Sequence, residues 1–325
     1  MHKLIFTLGV IITGLATGYV IQQLHNRGRI TLPVEIARLR KILQMTGLLG
    51  VLSVSFFLAV WIIRIPDPRL MAIPFIGLTA LVLGGILAVA ASRLMGHARR
   101  QTGAMFGCGS FTNIGAIGAL VCIVFLGEAA FALVALYKLF EETYYYAVAF
   151  PITRGFGPLP GGGAGLGARL KRLFSDPFVR TILGAIILGG TLNLAGVPRP
   201  GFFSTVNSII VPLGSFMLLV AIGLGMRLSS LRAYLKEGLA MAAIKFLLIP
   251  TVVVSAGLLL GFGHIGGGLP LKVVLVCSSM PVAFNALIPP SIYDLDLDLA
   301  NACWLVTNLG LVVTLPVLYF VLRAM

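Results

Sequence analysis

Read in windows of about twenty residues, the chain alternates long apolar stretches with short polar turns. The pattern predicts helices near 4–24, 42–63, 70–92, 102–127, 129–151, 179–197, 203–226, 235–261, 270–292 and 299–322, numbered here as segments one to ten. Each is long enough to cross a hydrocarbon core of roughly 30 Å. The first stretch, with Lys3 ahead of it, has the outline of a signal peptide. Its apolar run is long, however, and no A-x-A cleavage site closes it, so it is read as the first span.

The longest polar interruption runs from Arg154 to Arg180 and contains GFGPLPGGGAGLGA. It is too rich in glycine and too poor in periodic apolar residues to be anything but a flexible linker. It divides the chain into a first five-helix repeat (1–152), a linker (153–178) and a second five-helix repeat (179–325). An odd number of spans per half starts the second half on the opposite side from the first. The repeats are therefore expected to be inverted, the plan of many secondary transporters. Basic residues, which are retained on the cytoplasmic side, then set the orientation. Most of the 24 Lys and Arg lie in the turns after segments one, three, five and seven, and the alternate turns hold few. Both termini are expected outside the cytoplasm, in a cell membrane (inner or plasma) crossed ten times. One turn is discordant, since the segment between nine and ten is expected inside yet carries Asp294, Asp296 and Asp298. Acidic residues contribute little to the rule.

Composition changes the picture mainly by exclusion. Of 325 residues 58% are hydrophobic and 10% charged, whereas a soluble domain has about a quarter charged, so a water-soluble globule is excluded. The formal charge of +14 does not point to nucleic acid, because the basic residues are scattered in short turns without aromatic interleaving. Cys108, Cys122, Cys277 and Cys303 all fall in apolar segments, without paired spacing or a nearby histidine, and are read as small buried residues. His2, His25, His97 and His264 sit at segment ends, so no metal site is expected, and no cofactor.

Two segments are interrupted in comparable positions of the two halves. Segment four reads TGAMFGCGSFTNIGAIGALVCIVFLG, with six glycines and with Ser110, Thr112 and Asn113 near its middle. Segment nine reads PLKVVLVCSSMPVAFNALIPPSIY, with Ser278, Ser279, Pro281 and Asn285 at its middle and Pro289 and Pro290 beyond. Proline removes a helix donor and clashes with the preceding turn, and glycine lowers the cost of leaving helical geometry, so both segments are expected to break. Broken backbone at membrane depth is tolerated only where protein or a water-filled cavity satisfies it. If the two cross, their second halves aim unpaired N–H groups and positive dipole ends at one place, which suits a carboxylate. Asn113 and Asn285 would add amide donors, and Ser110, Thr112, Ser278 and Ser279 hydroxyls of either polarity. The competing explanation is that small and polar residues merely let membrane helices pack closely.

At these residues the sequence resembles the auxin efflux carrier family, within the bile-acid, arsenite and riboflavin transporter superfamily. The resemblance is carried by GSFTNIGAIG in segment four, SSMPVAFNALIPPSIYDLDLDLA and TNLGLVVTLPVL in segments nine and ten, and IGLGMRLS and IKFLLIP in segments seven and eight. It implies an all-α, ten-helix fold of two inverted five-helix repeats with a scaffold part and a transport part, the latter holding broken, crossing helices four and nine. It also implies alternating-access transport of an organic anion. The family's crossover asparagine and proline would fall on Asn113, Pro281 and Asn285. Segment four has no proline, so glycines are expected to make its break.

Segment five contains ALYKLFEETYYYAVAF, which puts Lys138, Glu141 and Glu142 in an apolar setting. Lys138 can reach Glu141 at i+3 or Glu142 at i+4. An unpaired glutamate there would be a candidate proton carrier, and the plainer alternative is a structural ion pair. Lys245, inside segment eight, would either counter an anionic substrate or snorkel to an interface. Tyr144, Tyr145 and Tyr146 are expected in an interfacial belt. The expected function is a secondary carrier of a small organic anion, a carboxylate, and not an enzyme; a sodium-coupled symporter of the bile-acid type, a receptor and an intramembrane enzyme are ranked behind it. The expected partners are that anion, the lipid bilayer and a second copy of the chain as a homodimer.

Overall fold

The computed structural model describes residues 2–62, 67–157, 177–226, 228 and 231–325. Among them every regular element is helical. Among the described residues five helices are long and apolar enough to cross a membrane: His2–Asn26, Pro68–Leu94, Phe202–Gly223, Leu235–Leu259 and Leu297–Ala324. They coincide with segments one, three, seven, eight and ten. The chain is thus an all-α membrane protein. Most of the glycine-rich linker expected over 153–178 lies outside the described residues, as do Arg64 and Arg227 among the charges used for orientation.

Segments four, five and nine are interrupted. The break in segment five was not expected from its sequence, which has neither glycine nor proline around it. The helix Glu128–Tyr137 ends in a turn over 138–140 before Glu141–Tyr144 resumes. Within the turn the Glu141 N–H donates to the Lys138 carbonyl (2.9 Å), three residues back instead of four, so the Tyr137 carbonyl loses its helical donor. That carbonyl packs on Gly77 of segment three, where an added Cβ would collide with it. The cause is therefore a tertiary contact.

By contacts the chain forms two compact units, each drawn from separate stretches of sequence. The first comprises Met1–Ile65, Gly115–Ala135 and Pro177–Met226. Segments one and seven cross within it where Gly18 meets the backbone of Val220 and Gly223, too closely for any side chain. Its other tie is polar. Arg199 donates from Nη1 to Glu128 Oε1 (2.6 Å) and from Nη2 to Glu128 Oε2 (2.8 Å). The same guanidinium reaches the Leu58 carbonyl (2.8 Å) and Ser204 Oγ (2.7 Å), and Asn207 Nδ2 donates to Glu128 Oε1 (2.8 Å). Only 3% of the Arg199 side chain is exposed. Arg199 stands in the turn between segments six and seven, yet its side chain is buried, and the bidentate carboxylate is what makes that burial affordable.

The second unit comprises Pro66–Ile114, Leu136–Asp176 and Arg227–Met325. Two of the three aspartates of its acidic turn are engaged. Asp294 pairs with Arg100 (2.5 Å), and Asp296 caps Leu297–Ala324 by accepting from the Leu299 N–H (2.9 Å). Tyr234 also donates to Asp296 (2.8 Å), and that bond, with burial, holds its hydroxyl above the usual tyrosine value. Nearby, His97 Nε2 lies 3.1 Å from Glu237 Oε1 and His97 Nδ1 lies 3.1 Å from Ser92 Oγ.

Candidate functional site

In segment four the helix Arg99–Ser110 ends where Phe111 turns extended (φ −91°, ψ 123°). A π turn, Ile114–Gly118, then leads into Ala119–Leu126. Segment nine runs as a helix over Leu269–Ser278, opens through Pro281, and closes in a 3₁₀ turn, Phe284–Leu287, and a short helix, Ile288–Ile292. The two openings meet in an antiparallel bridge between Thr112 and Val282. The Asn113 N–H donates to the Pro281 carbonyl (2.9 Å) and the Ala283 N–H to the Phe111 carbonyl (3.2 Å). Backbone groups that neither helix can satisfy thus satisfy one another, as a site away from water requires.

Side chains complete the accounting. Lys245 Nζ donates to the Gly109 carbonyl (2.6 Å), the Phe111 carbonyl (3.1 Å) and Thr112 Oγ1 (2.7 Å). It therefore caps the end of Arg99–Ser110 with a positive charge, where orphan carbonyls and the negative dipole end lie. The Thr112 N–H donates to the Tyr145 hydroxyl (3.1 Å), which itself donates to Glu141 Oε1 (2.9 Å). Across the bridge, the Val282 N–H donates to Thr307 Oγ1 (3.2 Å), and Asn308 Nδ2 donates to the carbonyls of Trp304 (2.8 Å) and Val282 (3.4 Å). Segment three presses on the same break, since a Cβ on Gly84 would collide with the Gly109 carbonyl.

Two π turns aim these groups. Ile244–Leu248 precedes Ile249–Pro250, and Tyr145–Ala149 precedes Phe150–Pro151. A proline has no N–H for the carbonyl four residues back and clashes with it, and widening the turn by one residue relieves both faults. The widened turns carry Lys245 and Tyr145.

The residues singled out from sequence divide as follows. Ser110, Thr112, Asn113, Ser278, Ser279 and Lys245 are buried. Ser110 Oγ lies 3.1 Å from the Tyr144 hydroxyl, and Ser278 Oγ is turned back on the Leu275 carbonyl (3.2 Å). Asn113 is only 6% exposed, and its Nδ2 finds no hydrogen-bond partner. Asn285 is half-buried in the 3₁₀ turn, three residues past the bridge, and makes no side-chain hydrogen bond among the described residues. The expected pair of facing helix N-termini is weak, because a π turn follows one break and a five-residue helix the other. Lys138 pairs with Glu141 (2.9 Å), both about 5% exposed; Glu142, half-buried, is a further charge beside Lys138. Tyr144 and Tyr145, expected in an interfacial belt, are instead buried against segment four, with the Tyr145 ring stacked on Phe111 at 4.1 Å. The Tyr146 side chain lies outside the description. The four cysteines are free and buried. Sequence reasoning missed Tyr145, Thr307 and Asn308 as parts of the crossing. The proline two residues after each of these π turns was the available signal for Tyr145, and Thr307 and Asn308 stood in the motif TNLGLVVTLPVL without a role assigned to them.

Neither a family model nor a curated protein matches the chain.

Proposed function

We propose that the protein is a secondary carrier that moves a small organic anion, a carboxylate, across a cell membrane by alternating access, with the anion held beside the crossing of segments four and nine. The observation that carries this reading is the charge of the crossing. It holds a fully buried ammonium, Lys245, with no carboxylate in ion-pair reach among the described residues, and at Asn113, the residue after its partner Thr112, a buried amide nitrogen without a hydrogen-bond partner. A buried cation and an idle donor in the same crossing favour an anion.

In this reading the chain spans the membrane ten times as two inverted repeats with both termini outside. The make-up of the units supports it. Segments one and two of the first half share a unit with six and seven of the second, and three shares the other with eight, nine and ten. Segments one to three thus go to the same units as their equivalents six to eight, whereas four and five are divided between the units and nine and ten are not. The likeness to auxin efflux carriers agrees with this plan.

The test is uptake and exchange of a panel of labelled mono- and dicarboxylates in proteoliposomes, with and without sodium and proton gradients. Exchange of at least one carboxylate, unchanged on replacing sodium, is expected. Strict sodium dependence would favour the bile-acid type of symporter, and no exchange of any carboxylate would remove the reading.

A further inference from the structure

The surroundings of Lys245 are unusual in what they accept. Two of its three partners, the carbonyls of Gly109 and Phe111, can only accept hydrogen bonds, and the third, the Thr112 hydroxyl, can accept or donate. An ammonium donates to all three. A neutral amine has two hydrogens and one lone pair, and it fits the same three atoms if the Thr112 hydroxyl turns to donate to nitrogen. Both forms of the lysine are thus fully hydrogen-bonded without movement of a heavy atom. A carboxylate partner would have favoured the charged form alone, and none stands within ion-pair reach among the described residues.

We infer that Lys245 with Thr112 is a reversible proton site, and that the carrier takes up a proton there together with its anion. This rests on the carrier reading above. An anion beside Asn113, the residue after Thr112, favours the ammonium, and the ammonium favours the anion, so each raises the other's affinity as linkage requires. The proton binds from one side with the anion and leaves to the other side with it. The ionisable groups that face Lys245 are Cys108 from segment four and Glu141 from segment five, with the Tyr145 hydroxyl between Glu141 and Thr112. Glu141 is engaged by Lys138, segment three carries Arg69, paired with Asp67, in its first turn and Arg93 in its last, and Cys303 of segment ten faces Cys108. Lys245 is the group among these whose partners suit two protonation states.

Two measurements decide it. In proteoliposomes an inward proton gradient should stimulate uptake at least tenfold in the parent. Lys245→Arg, permanently charged, should keep some anion exchange and lose the stimulation. Thr112→Val should lose it too, and Thr112→Ser should restore it. Loss of stimulation in Glu141→Gln with retention in Lys245→Arg or Thr112→Val would overturn the inference and move the proton to segment five. The second readout needs no substrate: the Nζ resonance of lysine-labelled protein, identified by its absence in Lys245→Met, should interconvert between ammonium and amine as pH is varied. An ammonium signal at every pH the fold tolerates refutes the proton site even if transport is found. A carrier reading that fails on the carboxylate panel leaves this second measurement intact.

Discussion

The Arg199–Glu128 clasp offers a quantitative test of how the first unit is held, independent of any function. Replacing Arg199 by Met removes two charge-assisted bonds to Glu128 and one each to the Leu58 carbonyl and Ser204, and leaves the carboxylate only the neutral donors of Asn207 and Ser204. Breaking one side of a buried pair costs about 3–5 kcal/mol, chiefly because the other charge is stranded. Glu128 retains 17% side-chain exposure, so the low end, about 3 kcal/mol, is the expectation. Glu128→Gln strands the guanidinium but leaves it two neutral acceptors, at about 2 kcal/mol. The double variant Arg199→Met/Glu128→Met strands neither charge and should lose less than Arg199→Met alone. The assay is thermal unfolding of purified protein in mild detergent, with the cycle closed on all four proteins. A coupling of at least about 1.5 kcal/mol is expected from the shared bonds. Simple additivity of the two single losses would refute the clasp as a load on stability.

Other outcomes follow from the second unit. Asn113→Ala and Asn285→Ala should each sharply reduce carboxylate exchange in proteoliposomes while leaving detergent stability near that of the parent; normal rates in both would dismiss the crossing as the binding site. Gly84→Ala has no room against the Gly109 carbonyl and should cost about 1–3 kcal/mol by overpacking, read as a lowered unfolding midpoint, while Gly50→Ala, with open space around it, serves as the control. Tyr145→Phe leaves the Thr112 N–H without its acceptor and should lower stability by about 1–3 kcal/mol, which a scan of unfolding midpoints checks. For orientation, a cysteine placed at Met325 should react with a membrane-impermeant maleimide in intact cells. The native thiols are buried and should give little background, and labelling only after permeabilisation would reverse the proposed topology.

Some of this was legible in the sequence, and the reason differs from place to place. The openings in segments four and nine could be read because glycine and proline act on the residues around them. Proline alone was a poor guide, however. Pro212 and Pro316 sit inside uninterrupted helices, whereas segment four opens with no proline at all. What distinguishes the true breaks is a partner for the freed backbone, and partners come from far along the chain: Lys245 lies 136 residues from Gly109. The break at 138–140 shows the same thing more sharply, since its marker is Gly77, in another segment. Charges in turns were useful for counting, but Arg199 shows that such a charge can be a buried fastener.

The dependence of segment four on Lys245 also imposes an order on biosynthesis. While the ribosome is still making the first half of the chain, the carbonyls of Gly109 and Phe111 have no ammonium to receive, and Pro281, whose carbonyl takes the Asn113 N–H, does not exist. Lipid offers those groups nothing in the meantime. On the ten-span reading proposed above, segment four would have to enter the bilayer as an unbroken helix, or wait in a sheltered, hydrated place, and open only after the late segments arrive. A nascent chain truncated before Lys245 should accordingly hold this segment in a different conformation from the finished protein.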